Sequence, residues 1–192
     1  MEKCNASANA GAALTRAGHN FEQALAHGVY EAVCYDKDGN EKWRDTFANV
    51  VTTVGKNLAL DTYLAGSSYS VTGPYMGLIS STSYSAVAAG DTMSSHAGWL
   101  EAGLGNAPTY SGNRKTAVFA AASSGAKALS SALSFAITGT GTVKGAFLVF
   151  GSGASATKDT GTGVLYSAGL FSGGDRAVIN GDTLSVTYTA SL

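Results

Sequence analysis

The sequence predicts a mainly all-β chain: a jelly-roll or immunoglobulin-like β-sandwich with one short helix and an extended N-terminal arm. Three observations point there. The 192 residues carry 13% charged side chains against 45% hydrophobic ones, with 25 glycines, so polarity comes from Ser, Thr and Asn in turns. Soluble domains average about 25% charged residues. Short β-rich runs recur between Gly/Ser/Thr clusters, as in sandwiches and barrels. A single stretch carries a helical period. The length allows one domain with a substantial core, divided as an arm over 1–27 and a sandwich domain over 28–192.

The arm is rich in Ala, Asn and Gly and poor in large apolar groups, although Phe21 to His27 can form two helical turns if docked on something. Strands begin at Val29. Val29–Tyr35 and Glu41–Phe47 flank Asp36-Lys37-Asp38-Gly39-Asn40, a hairpin in which Gly39 and Asn40 tolerate positive φ. Trp43, Asp45 and Phe47 alternate with Lys42, Arg44 and Thr46, which predicts a half-buried second strand, followed by a short one over Asn49–Thr53. The helix spans Gly55–Ala65, closes at Gly66 and has Thr53 as its N-cap, with Leu60 and Leu64 on one face. Further strands are expected at Tyr75–Ile79, Lys115–Ala120, Leu133–Ile137, Gly145–Phe150, Val164–Phe171 and Thr183–Thr189. The stretch Asp91–Glu101 reads equally as a capped turn or an irregular connection.

Charge and composition exclude several functions. A formal net charge of −1 offers no basic field for nucleic acid, so none is expected as a direct partner. No run approaches the ~20 apolar residues of a membrane span, and no signal-peptide pattern follows Met1, so the expectation is a soluble protein without a membrane partner. Cys4 and Cys34 lack metal or redox spacing and read as free thiols of a reducing cytosol.

Chemical motifs are weak throughout. Asp36-x-Asp38-Gly39-Asn40 resembles the start of a calcium loop, but the twelfth position is Phe47 instead of Glu. Asp91, Ser94 and His96 have the residue types of a hydrolase triad, yet crowd into six residues without a nucleophile elbow. A hydrolase is therefore the remote alternative. His19, His27 and His96 lack metal-ligand spacing, and Glu31, Asp45, Asp91 and Glu101 have no visible pairing for glycoside hydrolysis. Gly139-x-Gly141 and Gly161-x-Gly163 read as hairpin turns. Arg114, Lys115 and Arg176 are isolated charges suited to an intersubunit ion pair or a local anion. Tyr69, Tyr75, Tyr84 and Tyr110 suit either a glycan-binding face or the rim of a protein interface. The expectation is thus no catalytic residues, no metal and no cofactor.

Several segments taken together resemble a family. They are Val51–Leu58, Tyr75–Ile79, Gly90–Glu101 with its Asp-Thr-Met-Ser-Ser-His-Ala-Gly-Trp core, Tyr110–Arg114, Leu165–Gly169 and Gly181–Tyr188. They resemble a group of small virion structural proteins of tailed bacteriophages, over roughly residues 28 to 190. The resemblance implies a non-enzymatic capsid cement or decoration protein, assembled in the host cytoplasm and resident in the virion. Its partners would be the major capsid protein or other virion proteins, and copies of itself, with a trimer the expected number. The alternative is a head-fibre, collar or tail-fibre subunit that binds host glycans.

Overall fold

The computed structural model describes residues 26–64 and 72–191. The described residues form one mainly β structure with a single helix. Its strands are β1 (His27–Tyr35), β2 (Glu41–Val51), β3 (Tyr75–Ser80), β4 (Lys115–Thr116), β5 (Ala126–Ala128), β6 (Leu133–Ala136), β7 (Gly141–Phe150), β8 (Val164–Leu170), β9 (Arg176–Val178) and β10 (Thr183–Ser191). Helix α1 (Thr53–Leu64) follows β2. The arm expected over 1–27 lies outside the described residues except for its last two, and His27 already belongs to β1.

All pairings are antiparallel, in the order β4-β3-β7-β8-β2-β1-β10-β5, with β6 also on β10 and β9 also on β7. The curl of this sheet is carried by β2. Its first part pairs with β1, while Asn49–Val51 pair with Gly169–Ser167 of β8. The strand expected separately over Asn49–Thr53 is thus the end of β2. The two halves face each other across one core, where Tyr30, Phe47, Phe135, Val186 and Tyr188 meet Met76, Leu78, Ala146 and Leu148. The remaining gap is bridged by the chain after β4. Ala117 N–H donates to Pro74 O (2.8 Å), Ser130 N–H to Val118 O (2.8 Å), and Leu129 N–H to Tyr188 O (3.0 Å).

The outer face of β3, β7 and β8 is buried as well. Ile79, Phe147, Val149, Leu165 and Ala168 pack beneath Met93 and Trp99 from the β3–β4 connection. This double burial explains the continuous apolar run Phe147-Leu148-Val149-Phe150, which an alternating strand would not need.

The β1–β2 hairpin forms around Asp36, whose Oδ1 accepts the N–H groups of Asp38 and Asn40, both at 2.9 Å. Gly39 supplies the positive φ of +85°. In α1 the cap is Thr52, one residue before the expected Thr53: its Oγ1 accepts Gly55 N–H at 3.0 Å. Leu60 and Leu64 do share a face, but it is the outward one, 56% and 68% exposed, while Leu58 is buried. The inward face is set by Gly55, where a Cβ would lie 2.4 Å from Tyr166 O of β8. Absence of a side chain there lets the helix approach the sheet closely.

Candidate functional site

The stretch Gly90–Glu101 is irregular, tied by a Thr92–Ser95 bridge, and it clasps the second core. Trp99 is fully buried; its ring centre lies 5.2 Å from that of Phe147, and the His96 ring stacks on it at 4.0 Å, centre to centre. The Trp99 indole N–H donates to Asp91 Oδ2 (3.0 Å), which also accepts Ala88 N–H (2.9 Å). His96 Nδ1 lies 2.9 Å from Trp99 O, and Ser94 Oγ lies 3.2 Å from Thr92 Oγ1. Asp91 therefore orients an indole and Ser94 pairs with a threonine. Ser94 and His96 border the same polar hollow of about 390 Å³ without Asp91, so the three are not assembled as a triad.

Beneath that hollow is a buried charge cluster. Arg114 grips Glu101 in a two-bond fork, Nε to Oε1 at 2.9 Å and Nη2 to Oε2 at 2.7 Å, with both side chains buried. Arg114 also donates to Ser155 O and Thr160 O, each at 3.0 Å, and Glu101 Oε2 accepts Asp159 N–H at 2.8 Å. Nearby, Lys158 Nζ donates to Gly103 O (3.1 Å) and Tyr110 O (2.8 Å) and sits 4.0 Å from the Tyr110 ring centre. Burial lowers the Lys158 pKa and, acting with the Glu101 charge, raises that of the Tyr110 phenol well above its ordinary value. These bonds pin the 101–114 and 154–161 connections together. Sequence reading did not single out Lys158: its partners are backbone carbonyls about 50 residues away in the chain, which leave no local pattern.

Asp45, Glu31, Arg176 and Lys115 have partners too, while Cys4 and His19 lie outside the described residues. Asp45 accepts Ser172 Oγ–H (2.5 Å), Gly173 N–H (3.2 Å) and Arg176 Nη2 (2.8 Å). Burial opposes its charge, but those donors outweigh it and leave the Asp45 pKa below the usual carboxylate range. Glu31 pairs with Arg44 at 2.7 Å. Arg114 and Arg176, expected to serve between subunits or on an anion, thus both have partners within the chain. Lys115 Nζ donates to Ser111 O at 3.0 Å. Cys34 is buried beside Asp182, and desolvation first, then that carboxylate, push its thiol up to about 12. Among the described residues, no group of three or more His, Cys, Asp or Glu side chains could hold a metal ion.

Among the described residues, Tyr75, Tyr84 and Tyr110 make no exposed platform. Tyr110 is buried, while Tyr75 and Tyr84 are half-buried against the second core, Tyr84 with Lys144 4.5 Å from its ring centre. Tyr69 lies outside the described residues.

One larger feature escaped sequence reading altogether. At one end of the curled sheet an apolar groove of about 520 Å³ opens between α1, the bridging stretch and the ends of β7, β8 and β10. Ala59 and Thr62 form one wall, Phe119 and Phe150 others, with Tyr166 and Tyr188 at depth. Its residues run from 59 to 190, so only the tertiary fold brings them together. Asn49 Nδ2 donates to the Tyr188 hydroxyl at 2.9 Å. Ligand pockets are commonly concave, mostly apolar hollows of this size.

No family model, curated protein or solved structure matches the chain. No helix among the described residues is long and apolar enough to cross a membrane.

Proposed function

We propose that this chain is a non-enzymatic bacteriophage virion structural protein, a capsid cement or decoration protein that binds and stabilises the major capsid protein lattice as a homo-oligomer. The observation that carries this reading is the use made of Gly90–Glu101, the most specific part of the resemblance. Asp91, Met93, Trp99 and Glu101 all serve the framework: an indole brace, two core side chains and a buried ion pair. A stretch so employed acts by holding a shape, which suits a protein that works by adhesion. The outward Leu60 and Leu64 of α1, with Val118 60% exposed, supply apolar surface for such contacts.

The test is direct. Capsids purified to homogeneity should contain the chain in fixed stoichiometry to the major capsid protein, and imaging of a labelled copy should place it over the head. Full-length protein added to depleted capsids should rebind and raise their melting temperature. Purified particles lacking the chain, or capsids whose melting is indifferent to it, refute the reading.

A further inference from the structure

The layout of the apolar groove matches one kind of guest. Tyr188 and Ala190 are two apart on β10, so their side chains share a face of that strand. Lys127 of β5 is the register partner of Ala190, and residues directly opposite in an antiparallel pair lie on one face. Tyr188 is buried while Lys127 is exposed. The face therefore runs from an aromatic floor, past a methyl group, to an ammonium at the mouth. Phe119, Phe150 and Tyr166 supply apolar walls, the last two with ring centres 4.9 Å apart. Ala59, Ala117 and Ala190 line the groove with single methyl groups. Among the described residues lining it, Lys127 alone is charged. Its Nζ donates to Ala120 O at 2.9 Å, and an ammonium has three donors in all. No carboxylate of the described residues lies within ion-pair distance of it. Apolar walls with one cation at the rim are complementary to a molecule with an apolar tail and a single anionic head.

We propose that the groove binds a monomeric, single-tailed anionic amphiphile of the alkyl carboxylate class, its tail against Phe119, Phe150, Tyr166 and Tyr188 and its head on Lys127. The proposal is independent of the virion reading, and particle assays do not bear on it. Titration calorimetry of the full-length protein with dodecanoate should show saturable binding. Affinity should rise about three- to four-fold for each CH₂ added from octanoate to dodecanoate, the gain of a buried methylene. Lys127→Gln should weaken dodecanoate about two- to five-fold, as for an exposed ion pair. Dodecyltrimethylammonium should bind the wild-type chain more weakly than dodecanoate and should not be weakened by that substitution. Ala59→Trp should fill the groove and abolish binding, with its fold checked by circular dichroism. A photoreactive diazirine analogue of dodecanoate should label residues 117–119, 148–150 or 166 of the wild-type chain. That readout needs no substitution, so it decides the matter even if Ala59→Trp is unstable. No binding, an affinity indifferent to tail length or head charge, or labelling elsewhere overturns the proposal. Co-sedimentation with anionic phospholipid vesicles in place of monomer uptake would make the groove a membrane contact and overturn it as well.

Discussion

Replacing Glu101 by Gln tests whether the cluster under Gly90–Glu101 is a structural clasp. The substitution keeps the shape and removes one charge. Arg114 then remains with a guanidinium whose side chain is 0% exposed, held by carbonyls of Ser155 and Thr160 and no anion. Removing one partner of a buried ion pair costs about 3–5 kcal/mol because the other charge is stranded. At about 2–4 °C per kcal/mol for a chain of this size, the melting temperature should fall by roughly 6–20 °C. Urea unfolding followed by tryptophan fluorescence measures the loss, since Trp99 lies two residues from the site of change. Arg114→Met alone should also destabilise, and the double variant should fall short of the sum by about 0.5–3 kcal/mol, the usual coupling of contacting residues. It will not recover fully, because Asp159 N–H and the two carbonyls lose strong partners at about 1–3 kcal/mol each. A loss below about 1 kcal/mol for Glu101→Gln, the range of solvated pairs, or strict additivity would refute the reasoning.

Other outcomes follow from single contacts. Gly55→Ala should destabilise by about 1–3 kcal/mol, measured by thermal melting, because its Cβ would press on Tyr166 O. Thr52→Ala should cost about 1 kcal/mol as a lost cap, seen as reduced urea stability, and somewhat more because Thr52 Oγ1 also donates to Leu165 O. The Asp45 pKa is depressed on folding, so its contribution is present above the unfolded value near ~3.9 and is lost as pH falls through the folded one. Stability measured from pH 6 down to pH 2 should therefore decline, and Asp45→Asn should flatten that part of the curve. Cys34, buried with a thiol near 12, should resist iodoacetamide at pH 8 until the protein unfolds, as peptide mapping would show.

Much of the fold was legible because its signals are local. Alternation at Trp43, Asp45 and Phe47 reports a half-buried strand, and Asp36 with Gly39 builds its own turn. The short strands β5 and β9 were not legible: three residues each, they are strands only because β10 and β7 pair with them. Nor was the direction of Leu60 and Leu64. Two leucines four apart define a face, but which face packs was decided by Gly55 meeting Tyr166 of β8. At the candidate site, the residue types Asp91, Ser94 and His96 suggested chemistry that their partners do not support, since hydrogen bonds to Trp99 and Thr92 depend on three-dimensional placement.

The sequence by itself determined the β class, the turn positions and the low-charge surface, because period, turn chemistry and composition act over a few residues at a time. Only the tertiary structure decided that Arg114 meets Glu101, that Trp99 and Tyr110 are interior, and that an apolar groove opens at one end of the sheet. Those facts depend on contacts between segments far apart in the chain, and the free energy of such contacts comes from desolvation and packing that no single segment contains.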